Sequence, residues 1–447
     1  MGRLRSDWLP AGALTLCLFL LYNANGREIP SYDSQPAKYT AIELATRGTL
    51  RLNHVVGRIP ALAERPGFAL DRRGNYRSAY PLPSALAAAG VAWGLAKLHL
   101  LDLSSPIAAA VVAKLTASML TALAAAAAFF CARAVLPVVP ALLVAFGFGA
   151  GTNMWAAVSQ TLWQQETALC ALMIAIAMLM APNLTRLRAL LVVCLLALAA
   201  AARPQLAPCI AVLAVSVVAR LGVRVGSILI LTPLAAAAAV VIGLNTVWFG
   251  HLLGAVPRLE ALHAGVHFVP GSLTASVPAG MLGLLISPSR GLLVFSPIVA
   301  IAAVGASRLT QGGWTSERPE RRWCAAAIAV QFLLYSTYSV WWGGHTFGPR
   351  YALDALPMMV PLGADGVEIV GRHATGRALA IIALVWSVAA AGTGAFVYPS
   401  EAWNSDPTEI DRAHGRLWDW RDPQLLRCWQ TGPSPQNFDL VRYWRYR

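Results

Sequence analysis

The chain reads as an all-α polytopic membrane protein, and three features of its sequence say so. Hydrophobic residues make up 57% of it and charged residues 13%, against about 45–50% and about 25% in soluble domains. Apolar runs close to the roughly 20 residues that cross a bilayer recur from one end to the other. Between them lie short basic loops and a few longer polar segments.

Candidate spans cover 8–24, 82–98, 106–130, 135–152, 167–182, 189–203, 206–220, 225–247, 291–307, 323–340, 353–371 and 378–397. "MGRLR" followed by an apolar run resembles a signal peptide, but no small-x-small cleavage site follows, so 8–24 is an anchor. The Ala-rich runs "TALAAAAAFF", "LALAAAARPQ" and "PLAAAAAVV" suit helices whose backbones approach closely in lipid. No internal repeat is visible.

Basic loops set the orientation. Arg3 and Arg5, "RLR" at 186–188, Arg220 with Arg224, "RPERR" at 318–322 and "RHATGR" at 372–377 belong in the cytoplasm. Segments 25–80, 152–166, 248–290, 341–352 and 398–447 then lie outside. Three candidate spans fall between 80 and 152, both outside, so one of them does not cross. We take 82–98, which starts "YPLPS" and ends near Lys97 and His99, as a helix in the outer interface; the Gly-rich 135–152 is the other candidate. About eleven crossings remain. The chain then divides into a transmembrane module, 1–397, with a first external loop at 25–105 carrying interfacial helices and a further external loop at 248–290. A small external cap, 398–447, is too aromatic for disorder and too short for an enzyme domain.

The net charge of +14 is scattered through loops, so it is no nucleic-acid footprint. Seven cysteines show no paired or metal-type spacing and read as packing residues. His263 and His267 are four apart, which suits a metal on one helical face, but no third ligand has matching spacing. No metal or cofactor is expected.

The external segments carry the chemistry. After the first span comes "SYDSQPAKYTAIELATRGTLRL" at 31–52, with Asp33 some nine residues beyond the apolar run and a half-polar helical segment closed by Gly48. "GNYRSAYPLPSAL" follows at 74–86. "GMLGLLISPSRGLLVFSP" at 280–297 and "WWGGHTFGPRYALDALP" at 341–357 complete the set. In this order the segments resemble the glycosyltransferase C superfold, specifically bacterial relatives of the protein O-mannosyltransferases and the lipid A aminoarabinose transferase. The resemblance covers roughly residues 8–397. It implies a sugar donor carried on a polyprenyl phosphate, a glycan, lipid or protein acceptor, and a multi-pass protein of the bacterial inner membrane whose active site faces outward.

By position the resemblance makes Asp33 the catalytic carboxylate. Many relatives have an Asp-Glu pair there, whereas this chain has Asp33-Ser34. The placement also makes chemical sense. A polyprenyl phosphate holds its phosphate at the interface, so a base that takes a proton from the acceptor hydroxyl belongs at that depth. The bland reading of Asp33 is a loop acid or helix cap, with Ser34 as a competing cap. Glu166 in "AAVSQTLWQQETALC" matches a second family acid by position, or is simply a helix N-terminal glutamate.

A phosphate leaving group calls for fixed cations. Arg290 of "SPSRG" and Arg350 of "FGPRY" sit at outer span ends, and a guanidinium fork suits phosphate; snorkelling to headgroups is the alternative. Lys38 is a further phosphate candidate. Tyr76, Tyr80 and His345 are candidates for touching the sugar, and Trp341 and Trp342 for stacking on it, unless they form an interfacial belt. A single base without a nucleophile partner, with the resemblance, implies an inverting, metal-independent transfer. Two other readings share the architecture: a flippase for lipid-linked sugars, and a glycan polymerase or ligase with a lipid-diphosphate donor.

Overall fold

The computed structural model describes residues 2–257, 259, 273, 276–311 and 320–445, and these are mostly helical. Helix α1 (Gly2–Asn23) is followed in the long polar loop by α2 (Gln35–Arg47), α3 (Asn53–Arg58) and α4 (Pro83–Lys97). Then come α5 (Ala108–Arg133), α6 (Val138–Ala150), α7 (Gln165–Leu179), α8 (Arg186–Ala202), α9 (Ala207–Leu221) and α10 (Val223–Phe249). Helices α11 (Val277–Ile286), α12 (Ala300–Ala306), α13 (Glu320–Ser336), α14 (Leu356–Val370) and α15 (Ala374–Phe396) continue the bundle. The tail adds α16 (Gln424–Thr431) and α17 (Asp439–Arg445).

Among the described residues, four helical stretches are long and apolar enough to cross a membrane by themselves: Ala108–Arg133, Pro204–Leu221, Val223–Phe249 and Ala374–Phe396. Others, such as α6 and α7, are 13 and 15 residues long. The span expected at 291–307 is broken into Leu292–Phe295, a 3₁₀ turn at Pro297–Val299, and α12. Pro297 explains the break, since its nitrogen has no hydrogen to give the preceding turn. Two elements were not anticipated. One is α11. The other departs from the all-α expectation: a hairpin of β1 (Phe68–Leu70) and β2 (Tyr76–Ser78), antiparallel with Phe68 opposite Ser78. Its turn holds Gly74 at a φ of 77°, which glycine adopts at little cost. His263 and His267 lie outside the described residues.

Polar pairs tie helix ends together and fix their directions. At one end of the bundle Arg133 Nε donates to Asp7 Oδ1 at 3.1 Å, joining the end of α5 to the start of α1. Arg220 donates to the Leu179 carbonyl at 2.8 Å and pairs with Glu320 at 2.8 Å, adding the ends of α7 and α9 and the start of α13. At the opposite end Gln160 Oε1 accepts from Asn25 at 2.7 Å and from Lys114 at 2.6 Å. Arg203 meets Asp354 there at 2.5 Å, and the Arg72 N–H donates to the Trp248 carbonyl at 2.7 Å. Ser84, at the start of α4, donates to Thr167 at 3.0 Å. The chain therefore enters α4 and leaves it toward α5 at the same end of the bundle.

Small residues allow the close packing. Ala122, Ala124, Ala125 and Ala128 of α5 are fully buried. A Cβ on Gly149 would stand 2.8 Å from both Leu18 and the Tyr22 hydroxyl. Gly305 and Gly366 bring α12 and α14 into backbone contact, where a Cβ on either would run into the other helix's carbonyl oxygens, Leu362 O and Ile301 O.

Candidate functional site

The stretch around Asp33 folds for local reasons. Pro36 sits in the first turn of α2, where its missing N–H costs nothing, and Gly48 ends the helix at a φ of 63° with its N–H on the Leu44 and Glu43 carbonyls. Neither reading of a cap holds. Ser34 makes no side-chain cap and instead donates to the Ser31 carbonyl at 3.0 Å. The Asp33 carboxylate turns away from the helix altogether.

It meets two groups from distant parts of the chain. The Tyr80 hydroxyl donates to Asp33 Oδ1 at 2.7 Å, and Arg350 Nη2 donates to Oδ2 at 3.0 Å. Burial, and then the neighbouring carboxylate, push the Tyr80 phenol well above its ordinary range, so it stays a donor. Asp33 keeps 37% of its side-chain surface exposed while Arg350 keeps 16%. Each carboxylate oxygen has two lone pairs, so both can still accept another hydrogen bond. Arg350 lies 4.0 Å over the Trp163 ring, and its buried Nε–H has no partner.

The backbone of Arg350 is held from below. Gln165 Nε2 donates to the Arg350 carbonyl at 3.1 Å and to Asp354 Oδ1 at 3.0 Å. Asp354 is fully buried and takes Arg203 and the Tyr335 hydroxyl on its other oxygen. Tyr335 stacks on Tyr351 with ring centres 4.6 Å apart. Just upstream, Gly348 has a φ of 59°, and a Cβ there would stand 2.5 Å from the Asn153 amide, so this turn needs glycine. The segment 160–165 supplies most of this support. Gln160 binds Asn25 and Lys114, Thr161 donates to Glu28 at 2.6 Å, Trp163 underlies Arg350, and Gln165 holds its carbonyl.

Other expected site residues are placed elsewhere. Arg290 is buried with all five N–H groups taken: Nε on the Trp342 carbonyl, Nη1 on Ser289 O and Gln424 Oε1, Nη2 on Gly344 O and Asn404 Oδ1. Burial lowers its pKa to about 10, and it remains charged at neutral pH. In this arrangement it has no hydrogen to offer a phosphate; it ties the 287–291 turn to the C-terminal cap. Lys38 is also committed, to Glu28 at 2.7 Å with both side chains nearly buried. Glu166 is fully buried at the foot of α4 beside Ser84, out of reach of solvent.

The aromatic candidates divide the same way. Tyr80 joins Asp33. Tyr76 packs into the small core of the hairpin with Leu52, Val56 and Phe68. His345 faces Asp411 at 3.3 Å, and that carboxylate also accepts from the Trp342 indole at 2.9 Å. Trp341 and Trp342 are buried against the cap residues Trp418 and His414, which removes them as open sugar platforms.

Sequence reasoning missed Trp163, Gln165, Glu28, Asp354 and Arg203. The polar run "SQTLWQQE" between apolar helices was the available signal for the first two.

Fold and site together define a polytopic helical membrane protein with an acid–cation–phenol cluster at one end of its bundle. A crystal structure of ArnT from Cupriavidus metallidurans bound to undecaprenyl phosphate has a similar fold. It matches over 90% of this chain and 67% of that one, with a TM-score of 0.52 and 13% sequence identity. The chain shares the fold of that structure, as the order of its external segments led one to expect. No protein-family model and no curated protein matches the chain.

Proposed function

We propose that the chain is an integral membrane glycosyltransferase that moves a sugar from a polyprenyl-phosphate donor to an acceptor on the outer face of the bacterial inner membrane. The Asp33–Arg350 pair carries this reading, because a half-exposed carboxylate and an incompletely satisfied guanidinium stand together where the reaction needs a base and a phosphate anchor. The architecture of an ArnT that binds undecaprenyl phosphate supports the donor class. The pairing of helix ends supports eleven crossings, with α4 in the outer interface.

In the proposed reaction the acceptor oxygen attacks the anomeric carbon and its proton passes to Asp33. The bond from that carbon to the phosphate oxygen breaks, and the electron pair leaves with the phosphate. Arg350 stabilises the charge that develops there, in a site partly shielded from water. Tyr80 holds the carboxylate in place. Attack opposite the leaving phosphate inverts the anomeric configuration, and no metal is required. Of the charges a flippase reading would use, Lys114 is hydrogen-bonded to Gln160, and Asp365 and Glu368 pair with Arg308, all near the ends of the bundle.

The test is transfer itself. Purified protein in liposomes is given radiolabelled polyprenyl-phosphate sugars and an envelope extract from a deletion strain. Label appearing in an acceptor, with release of polyprenyl phosphate, supports the reading. Label that crosses the bilayer still attached to its lipid makes the protein a flippase instead, and use of a diphosphate donor alone makes it a polymerase or ligase.

A further inference from the structure

A cavity of about 490 Å³ lies between α6, α12, α14 and α15. It begins beside Leu136, Gly371 and Arg377, at the end of the bundle marked by the Asp7–Arg133 and Arg308–Glu368 pairs, which is opposite the Asp33 cluster. Val144, Ile298, Val360 and Leu384 belong to its walls, and almost all of its surface is apolar. At Gly363 the wall opens, since a Cβ there would meet nothing within 4 Å.

The few polar groups are mostly occupied. Thr152 gives its hydroxyl to the Phe148 carbonyl at 2.6 Å. Glu368 takes Arg308 at 2.8 Å and Arg372 at 3.2 Å. Arg377 is different. It is exposed at the mouth, gives one N–H to the Gly371 carbonyl at 2.8 Å, and is engaged by no carboxylate among the described residues.

A void this large falls in the range of small-molecule sites, about 300–1,000 Å³. Its apolar wall offers water no partners, and an unfilled space would forfeit dispersion contacts along its whole lining. By the basic-loop rule this end faces the cytoplasm, where the leaflet is anionic. We infer that the cavity is a lipid site: one acyl chain of an anionic phospholipid fills it, with the headgroup phosphate on Arg377. A chain lying in the slot and a phosphate at its basic mouth satisfy both halves of the site at once. A polyprenyl phosphate held at Arg350 has its phosphate at the other end.

Native mass spectrometry of the purified protein with phosphatidylglycerol, phosphatidylcholine or undecaprenyl phosphate tests this. Wild type should retain one phosphatidylglycerol in preference to phosphatidylcholine. Gly363→Leu, which puts a side chain into the slot, should lose it at an unchanged thermal midpoint. Arg377→Gln should weaken retention about fivefold and abolish the headgroup preference, since one arginine near an anionic surface is worth about that factor. Should the leucine variant not fold, Arg377→Gln decides alone, because that side chain is exposed. Equal retention of both phospholipids by wild type, unchanged retention in both variants, or displacement of phosphatidylglycerol by undecaprenyl phosphate would each overturn the assignment.

Discussion

Asp33 and Arg350 stand 317 residues apart in the chain and meet at 3.0 Å. From the sequence they have separate tasks, one as the base and the other as the phosphate anchor. Their pairing means that each holds the other's place. A donor phosphate arriving at Arg350 competes with the carboxylate for the same guanidinium. Asp33 would keep its hydrogen bond from Tyr80 as it is freed. On the proposed mechanism the resting pair is therefore a site with its two working groups parked on one another.

Asp33→Asn tests the base. The amide nearly matches the carboxylate in shape and can still accept from Tyr80, so the fold and donor binding should survive. A general base contributes about 10²–10⁴-fold, and transfer should fall at least about a hundredfold. The neutral control belongs at exposed Glu64, as Glu64→Gln. Glu43 of α2 does not serve: it is buried and bonded to His54 at 2.9 Å. Transfer by Asp33→Asn at near the wild-type rate would remove the catalytic assignment.

Arg350→Lys and Arg350→Ala test the phosphate anchor. Lysine keeps the charge but loses the fork and the flat contact with Trp163. Loss of one charge-assisted hydrogen bond is worth about 1.5–3 kcal/mol, so donor affinity measured in detergent should drop roughly tenfold or more. Alanine should drop it further. Wild-type affinity in the alanine variant would leave Arg350 as a partner for Asp33 and nothing more.

Arg290 should behave in the opposite way. Arg290→Met strands the acceptors on Trp342, Gly344, Gln424 and Asn404 in a buried site. Each buried group left unpaired costs about 1–3 kcal/mol, so the thermal midpoint should fall by several degrees or more. Donor affinity per folded molecule should stay unchanged. A large loss of affinity at an unchanged midpoint would restore Arg290 to the phosphate site.

The contrast between these two arginines shows what the sequence can and cannot carry. Both lie at helix ends among glycine, serine and proline, and nothing local tells them apart. Their difference comes from Gln424 and Asn404 in the tail, which reach Arg290 from 134 and 114 residues away. Helices announce themselves by long apolar runs, and α2 by Pro36 and Gly48, because these signals are local. The Lys38–Glu28 pair was not legible, because its partners lie ten residues apart in a loop with no regular spacing to link them. The hairpin was missed because strands of three residues are too short for an alternating pattern to register. The ArnT-like fold was legible in the order of the external motifs, whereas the support under Arg350 depends on tertiary contacts of Gln165 and Asp354.

The hairpin gives a pH-dependent prediction outside the membrane. Burial alone would raise the pKa of Asp71. The Arg77 guanidinium at 2.7 Å and the N–H groups of Asn75 and Arg73 outweigh it and hold the carboxyl near 2, below its ordinary 3.8. A folded-state value below the unfolded one means the stabilisation is complete above about pH 4 and fades as pH falls toward 2. Hydrogen exchange of the Asp71 and Asn75 amides, which donate to the Asn75 carbonyl and to Asp71 Oδ1, should therefore lose protection across that window, after correction for intrinsic rates. Asp71→Asn should show the same loosening already at neutral pH, by at least about tenfold, since one unit of pKa shift corresponds to that factor. The loosening should also reach Tyr80, two residues beyond β2, and so lower transfer without changing the Asp33 side chain. If these amides exchange as slowly in the Asp71→Asn variant as in wild type at neutral pH, the Asp71–Arg77 pair does not hold the hairpin.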